Sequence, residues 1–127
     1  MQVLFVEDDP MNRRVVKDML TLVGIDMAEA PDAEAGLQMI SDGSFNAVLM
    51  DLRMPGMDGL TAIRMVRARK DAKATTPIIV VSADAAQNLR DTCLANGANE
   101  FLPKPVAMNA LFDALCDMLD DGDDLIV

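Results

Sequence analysis

The chain contains no histidine, which removes imidazole-based catalysis and the common zinc sites, so any bound metal must be held by oxygen atoms. Cysteine is nearly absent as well. The two that occur, Cys93 and Cys116, fall at apolar-looking positions of two separate predicted helices, which predicts small buried hydrophobes and no disulfide. No apolar run approaches the roughly 18 to 20 uncharged residues needed to cross a bilayer. Met1 to Val6 lack the basic n-region and small-residue cleavage site of a targeting segment, so a soluble, cytoplasmic protein without a membrane partner is expected. Basic residues are few: 11 Lys and Arg against 21 Asp and Glu give a net charge of −10. That balance repels nucleic-acid phosphates and excludes DNA or RNA as a partner. There is no internal repeat and no low-complexity linker, and 127 residues are enough for one domain with one core.

What is present is a regular alternation. Val3 to Val6 is a β-branched and aromatic run that ends in Glu7-Asp8-Asp9-Pro10, a buried strand followed by an acidic loop. Pro10 suits the first turn of a helix whose apolar face is read as Met11, Val15, Met19, Leu20 and Val23, with Gly24 as its stop. Asp26 to Ala30 is read as a second strand from its place between helical patterns, and Asp32 as the N-cap of a helix carrying Ala33, Gly36, Leu37 and Ile40 to Gly43. The apolar run from Ala47 then stops at Asp51, and Pro55, Gly56 and Gly59 turn the chain. The next helix points Leu60, Ile63 and Val66 inward and Arg64, Arg67, Arg69 and Lys70 outward. Ile78 to Val81 is the clearest strand and leads into Ser82-Ala83-Asp84. A helix through Leu89, Cys93 and Leu94 ends at Gly97, and Glu100 to Leu102 is a short strand broken by Pro103-Lys104-Pro105. The last helix places Met108, Leu111, Phe112, Leu115 and Leu119 inward. Residues 1–120 form the predicted domain, and 121–127 an acidic, frayed tail.

Five continuous apolar strands alternating with five helices predict an α/β three-layer sandwich around a five-stranded parallel sheet. In open sheets of this kind ligands bind at the carboxyl ends of the strands. Glu7 and Asp8, Asp51, Ser82 and Lys104 all arrive at that edge. Two carboxylates about 4 Å apart repel by roughly 4 kcal/mol at an effective dielectric of 20, so such a cluster needs a cation to stay ionised. Carboxylate, carbonyl and water oxygens suit Mg²⁺, which favours one or two carboxylates plus a phosphate. A magnesium-dependent phosphate site is expected.

This set of motifs resembles the receiver domain of two-component response regulators: an acidic pair after strand one, Asp51-x-x-Met54-Pro55-Gly56-Met57-Asp58-Gly59 after strand three, Ser82-Ala83 after strand four, and Lys104-Pro105 after strand five. The resemblance covers Gln2 to Leu119. It implies a flavodoxin-like (βα)5 fold with strand order 2-1-3-4-5. It further implies that Asp51 accepts a phosphoryl group from a phosphohistidine on a histidine kinase or histidine phosphotransfer protein. Asp8 would bind Mg²⁺ directly, Glu7 directly or through water, and the Arg53 carbonyl would complete the protein ligands. Lys104, the Ser82 hydroxyl and the Ala83 N–H would hold the phosphoryl oxygens, with the Lys104-Pro105 peptide cis. The likeness also implies a switch in which Ser82 is drawn inward and Phe101 rotates in behind it, biasing a face formed by helix four, strand five and helix five.

Some residues carry plainer roles. Asp9 is read as a helix-start charge, and Asp58 and Gly59 as a loop-shaping cap. Arg53 and Asp84, two residues beyond Asp51 and Ser82, are expected to pair over the site and slow hydrolysis of the acyl phosphate. Arg13, Arg14 and Lys17 read first as a solvated helix face and second as a docking patch for a helical phosphodonor. The last helix has no Lys or Arg between Val106 and Leu119, which favours a monomer. The chain is thus expected to be a phosphoacceptor, not a turnover enzyme: a stand-alone regulator, a relay shuttle or the receiver part of a hybrid histidine kinase. Alternatives are a magnesium-dependent phosphatase working through an aspartyl phosphate, though Arg53 stands where such enzymes want a second acid, and a pseudo-receiver that binds partners without phosphorylation.

Overall fold

A computed structural model describes residues 1–84 and 86–123, without the side chains of 119–123. The apolar runs become five parallel strands, β1 (Gln2–Val6), β2 (Asp26–Ala30), β3 (Ala47–Asp51), β4 (Ile78–Ser82) and β5 (Glu100–Pro103). They are joined by α1 (Pro10–Thr21), α2 (Ala33–Asp42), α3 (Gly59–Arg67), α4 (Gln87–Ala95) and α5 (Met108–Asp123). The sheet order is β2-β1-β3-β4-β5, the flavodoxin-like arrangement expected.

Side chains alternate across a strand, so each run divides its residues between two cores. Leu4, Val6, Val48, Met50, Ile78 and Val80 face α2, α3 and α4, where Ile40, Ile63, Val66 and Cys93 meet them. Val3, Phe5, Leu49, Ile79 and Val81 face α1 and α5, against Val16, Leu20, Leu111 and Leu115. Three aspartates start helices as predicted: Asp9 accepts from the Met11 N–H at 2.9 Å, Asp32 from Ala35 at 2.8 Å and Asp58 from Thr61 at 2.8 Å. No helix among the described residues is long and apolar enough to cross a membrane.

Four expectations need correction. In α1 the buried residues are Val16 and Leu20, whereas Met11, Val15 and Val23 are 69%, 49% and 52% exposed. Apolar residues spread over about half the circumference of this helix, more than the sheet covers, so spacing alone could not select the buried part. Leu94 and Met108 also stand partly in solvent, and Cys116 is exposed on α5 while Cys93 is buried. A 3-10 turn, Ala72–Thr75, precedes β4 and has no counterpart in the sequence reading. The inward place expected for Leu119 and the tail beyond Asp123 lie outside the described residues.

Arg67 is the fourth. Expected outside, its guanidinium instead folds under the sheet edge and donates to the Gly97 carbonyl at 2.9 Å, the Ala74 and Thr76 carbonyls at 2.8 Å and Asn99 Oδ1 at 2.8 Å. Burial lowers its pKa from the ordinary arginine value, without bringing an arginine near neutrality at physiological pH. Gly97, at φ +115°, leaves room for the arginine stem, since a Cβ there would stand 2.7 Å from Arg67 Cγ. Arg67→Ala should therefore destabilise the fold by about 2–3 kcal/mol, read as a lower urea midpoint at unchanged slope. Arg67→Lys should recover little of this, because one ammonium cannot reproduce the fork.

Candidate functional site

Parallel pairing brings the expected residues to one edge. Val6 is in register with Met50, Asp51 with Val81, and Ser82 with Pro103, so the residues that end these strands, or follow them directly, stand in a row. The chain leaves β1 into the acidic loop while the Glu7 N–H is still bound to the Ala30 carbonyl at 3.0 Å. Lys104 is fixed in the same manner by its N–H on the Ser82 carbonyl at 2.8 Å, and the peptide after it is cis.

The result is a cleft of about 250 Å³ lined by Glu7, Asp8, Asp9, Asn12, Asp51, Arg53, Ser82, Ala83 and Lys104. Glu7, Asp51 and Ser82 are buried, whereas Asp8 is exposed. One carboxylate oxygen from each of Glu7, Asp8 and Asp51 lies within 4.8 Å of the others. Oxygens on opposite sides of a magnesium ion are about 4.2 Å apart, so a small contraction would let these groups share one. The donor set therefore fits Mg²⁺.

Lys104 is the cation already inside. Its Nζ lies 2.7 Å from Glu7 Oε1 and 3.2 Å from Asp51 Oδ1. Burial works against its charge, but the Glu7 hydrogen bond and the charges of Asp51 and Glu7 outweigh it, and its pKa is raised. Ser82 Oγ accepts the Asp84 N–H at 3.1 Å, and Asp84 in turn accepts the Ala86 N–H at 3.0 Å. Arg53 does meet Asp84, 3.5 Å apart, with the two side chains 80% and 42% exposed. Phe101 is only 3% exposed and packs in the core with Val80 and Cys93. The aromatic ring that the resemblance would rotate inward is already inside in this structure.

Two site neighbours escaped the sequence reading. Asn12 Nδ2 reaches Glu7 Oε1 at 3.4 Å, and Arg13 donates to the Glu7 carbonyl at 2.7 Å and to Glu29 Oε1 at 3.0 Å. Lys17 also contacts Glu29, at 3.3 Å. Burial would raise the pKa of Glu29, yet these two cations hold it below the ordinary value. The basic patch of α1 is thus largely satisfied within the molecule, and Arg14 itself is within 3.4 Å of Asp18. Beside these charged groups α1 leaves apolar side chains uncovered, Met11 and Val15 among them. Val15 lines a groove of about 120 Å³ with Phe5, Val106 and Pro105 that shares Asn12 and Lys104 with the acidic cleft. Met19, Leu22 and Met108 extend that surface past Val15.

Residues 3–116 match the family model described as response regulator receiver domain. Over 115 residues the chain is 34% identical to the sensor histidine kinase RcsC of Salmonella typhi, covering 91% of this chain and 12% of that protein. The chain therefore spans about an eighth of that relative's length. Among solved structures, the receiver domain of the sensor histidine kinase PA1611 from Pseudomonas aeruginosa, described with a magnesium ion coordinated in its active site cleft, superimposes with a TM-score of 0.84 at 33% identity over 93% of this chain and 96% of that one. The receiver domain of the Francisella response regulator 1452 gives a TM-score of 0.88 at 24% identity, over 96% and 98% of the two chains.

Proposed function

This chain belongs to the response regulator receiver domain family, and from that premise we propose that it takes a phosphoryl group from a phosphohistidine onto Asp51. The observation that carries the reading is the placement of Asp51. It is buried at the end of β3, with Lys104 Nζ at 3.2 Å and the Asp8 and Glu7 carboxylates beside it. In the transfer an Asp51 carboxylate oxygen forms a bond to phosphorus, the phosphorus–nitrogen bond of the donor breaks, and its electron pair returns to the imidazole. Such a transfer needs in-line positioning and neutralisation of charge on the equatorial oxygens.

Each residue has a task. Lys104 supplies one positive charge, and the Ser82 hydroxyl and Ala83 N–H supply neutral donors. Asp8, Asp51 and the Arg53 carbonyl would hold Mg²⁺ directly, with Glu7 acting through water because both its oxygens already accept hydrogen bonds. When bound, the ion supplies the positive charge that lets carboxylates and a phosphoryl group stand together. The test is intact mass after incubation with acetyl phosphate: one added phosphoryl group in Mg²⁺ and none with a chelator is expected. No gain in either condition, together with no transfer from any histidine phosphodonor, would sink the reading.

The donor is proposed to be a histidine kinase or histidine phosphotransfer protein that seats a helix against the apolar surface of α1, next to the cleft. Val15→Glu should slow uptake from such a protein about tenfold or more, while uptake from acetyl phosphate stays as it was. Equal slowing with both donors would count against that face. The proposed receiver unit is residues 1–120 with 121–127 as its tail, its location the cytoplasm and its state a monomer, since α5 offers acids and no base to a second copy.

Arg53 lines the cleft and meets Asp84 at 3.5 Å, and their pairing is proposed to hinder water on its way to the acyl phosphate. Replacing both with alanine should speed loss of the phosphoryl group by about threefold to tenfold and change stability by less than about 0.5 kcal/mol, as befits an exposed pair. A dephosphorylation rate equal to that of the parent would refute the role.

A further inference from the structure

The opposite edge of the sheet carries a second groove, away from the acidic cleft. β3 and β4 start side by side there, with Val48 in register with Ile78 and its N–H on the Pro77 carbonyl at 2.8 Å. Just ahead of these strands, Ile40, Phe45 and Pro77 line a groove of about 340 Å³ between the end of α2 and the 3-10 turn. Ile40 is buried, and Phe45 and Pro77 are half-buried. Sites for small molecules run from about 300 to 1,000 Å³, so this one suits a small ligand.

Its polar groups run against the charge of the molecule. The chain has 21 acids against 11 bases, yet no carboxylate lines this groove and one ammonium, that of Lys73, does. Lys73 Nζ donates to the Ser41 carbonyl at 2.6 Å and forms no ion pair among the described residues, which leaves two of its three N–H donors over. The acids nearest in sequence are engaged elsewhere: Asp42 accepts from Gln38 at 3.0 Å, and Asp71 pairs with Arg69 at 2.7 Å. Thr75 and Thr76 also line the groove, and each gives its hydroxyl proton to a main-chain carbonyl, that of Ala72 at 3.0 Å and that of Lys73 at 2.8 Å. Their oxygens therefore remain as acceptors. The groove offers a cation, two acceptors and an apolar floor.

We propose that this groove binds a small carboxylate ligand that carries an N–H beside the carboxylate and an apolar body, the chemistry of an N-acylated apolar amino acid. The carboxylate meets the Lys73 ammonium, the N–H donates to a threonine oxygen, and the apolar side chain covers Ile40, Phe45 and Pro77. The charge-assisted bond to Lys73 is the strongest polar contact, and burial of the apolar side chain supplies the rest. An inorganic anion would leave the floor and the acceptors unused, and a cation would meet Lys73 with like charge. The groove shares no lining residue with the acidic cleft, so its occupancy is separate from phosphoryl uptake on Asp51.

Titration of the isotope-labelled full chain with N-acetyl-L-leucine, followed by amide NMR, is the test. The Ser44, Phe45, Lys73 and Thr76 amides should move together along one saturating curve, with a Kd on the order of 1 mM for a ligand of roughly a dozen heavy atoms. The Asp8 and Arg53 amides at the opposite edge should stay in place. N-acetyl-L-leucinamide lacks the charge, and 4-methylpentanoate keeps charge and body but lacks the N–H; each should bind about fivefold or more weakly. Lys73→Met should weaken binding of the acid to the level of the amide. The three compounds are compared on the unmodified chain, so their order does not depend on how the variant folds. Groove amides that show no saturating shift at about twentyfold above that Kd, or an analogue that binds as tightly as N-acetyl-L-leucine, would overturn the assignment.

Discussion

Asp51→Asn should abolish the proposed phosphoryl uptake while leaving the chain folded. The amide keeps the size of the side chain but removes the oxygen nucleophile, and loss of a nucleophile costs roughly 10³-fold or more in rate. Intact mass in acetyl phosphate and Mg²⁺ should then show no gain on the variant under conditions that convert the parent. Stability should hold or rise, which separates lost chemistry from lost structure. Three carboxylate oxygens lie within 4.8 Å of one another, and at an effective dielectric of 20 each such pair repels by about 3–4 kcal/mol. Removing the charge of Asp51 relieves two of these repulsions, and Lys104 keeps its closer partner Glu7 at 2.7 Å. A melting temperature equal to or a few degrees above that of the parent is expected. Phosphoryl uptake by the variant at the parental rate would move the acceptor away from Asp51 and undo the functional reading.

The relative weights of sequence and structure in reaching this site differ from residue to residue. Asp51 is legible because an apolar run stops at it and a Pro-Gly loop follows. A run this short between turn signals suits a strand buried on both faces better than a helix, and all five residues of β3 are buried. Glu7, Asp8, Ser82 and Lys104 are legible for the same reason, being the first polar residues after their own apolar runs. The partnership of Glu7 and Lys104 is not legible. It joins residues 97 positions apart and depends on side-chain reach across the sheet. Arg67 misleads in the opposite sense, since a charge on the polar side of a helix reads as solvated. Its four acceptors come from the 3-10 turn and the segment after α4, which no local pattern connects to α3. In α1 the pattern itself is ambiguous: Met11, Val15, Val16, Met19 and Leu20 spread over about half the helix circumference, wider than the face the sheet covers, and only docking against Phe5 and Leu115 decides that Val16 and Leu20 go inside. The residues left out, Met11, Val15 and Leu22, stand in solvent, on the face proposed above for the phosphodonor.

Gly59→Ala should damage fold and chemistry together, because Gly59 lies against the backbone of Asp51, the proposed acceptor. A Cβ at this position would stand 2.3 Å from the Asp51 carbonyl oxygen, 2.9 Å from Leu52 Cα and 3.1 Å from the Asp51 carbonyl carbon. All three are main-chain atoms and cannot rotate aside. The Gly59 N–H also donates to the Leu52 carbonyl at 3.0 Å, so the start of α3 is tied to the end of β3 where the extra carbon would push them apart. Forcing such overpacking costs about 3 kcal/mol, to be read from urea unfolding. Separating α3 from β3 also displaces Asp51 relative to Lys104, and a shift on the order of 1 Å in a reacting group can cost about 10²-fold in rate. Gly24→Ala is the matched control. Gly24 has φ +76° but nothing within 4 Å of an added Cβ, so its penalty is limited to the left-handed backbone, about 1–2 kcal/mol, with phosphoryl uptake unchanged because Gly24 is remote from the cleft. If Gly59→Ala proved no more costly than Gly24→Ala and took up phosphate at the parental rate, the close seating of α3 on the acceptor strand would not be what positions Asp51.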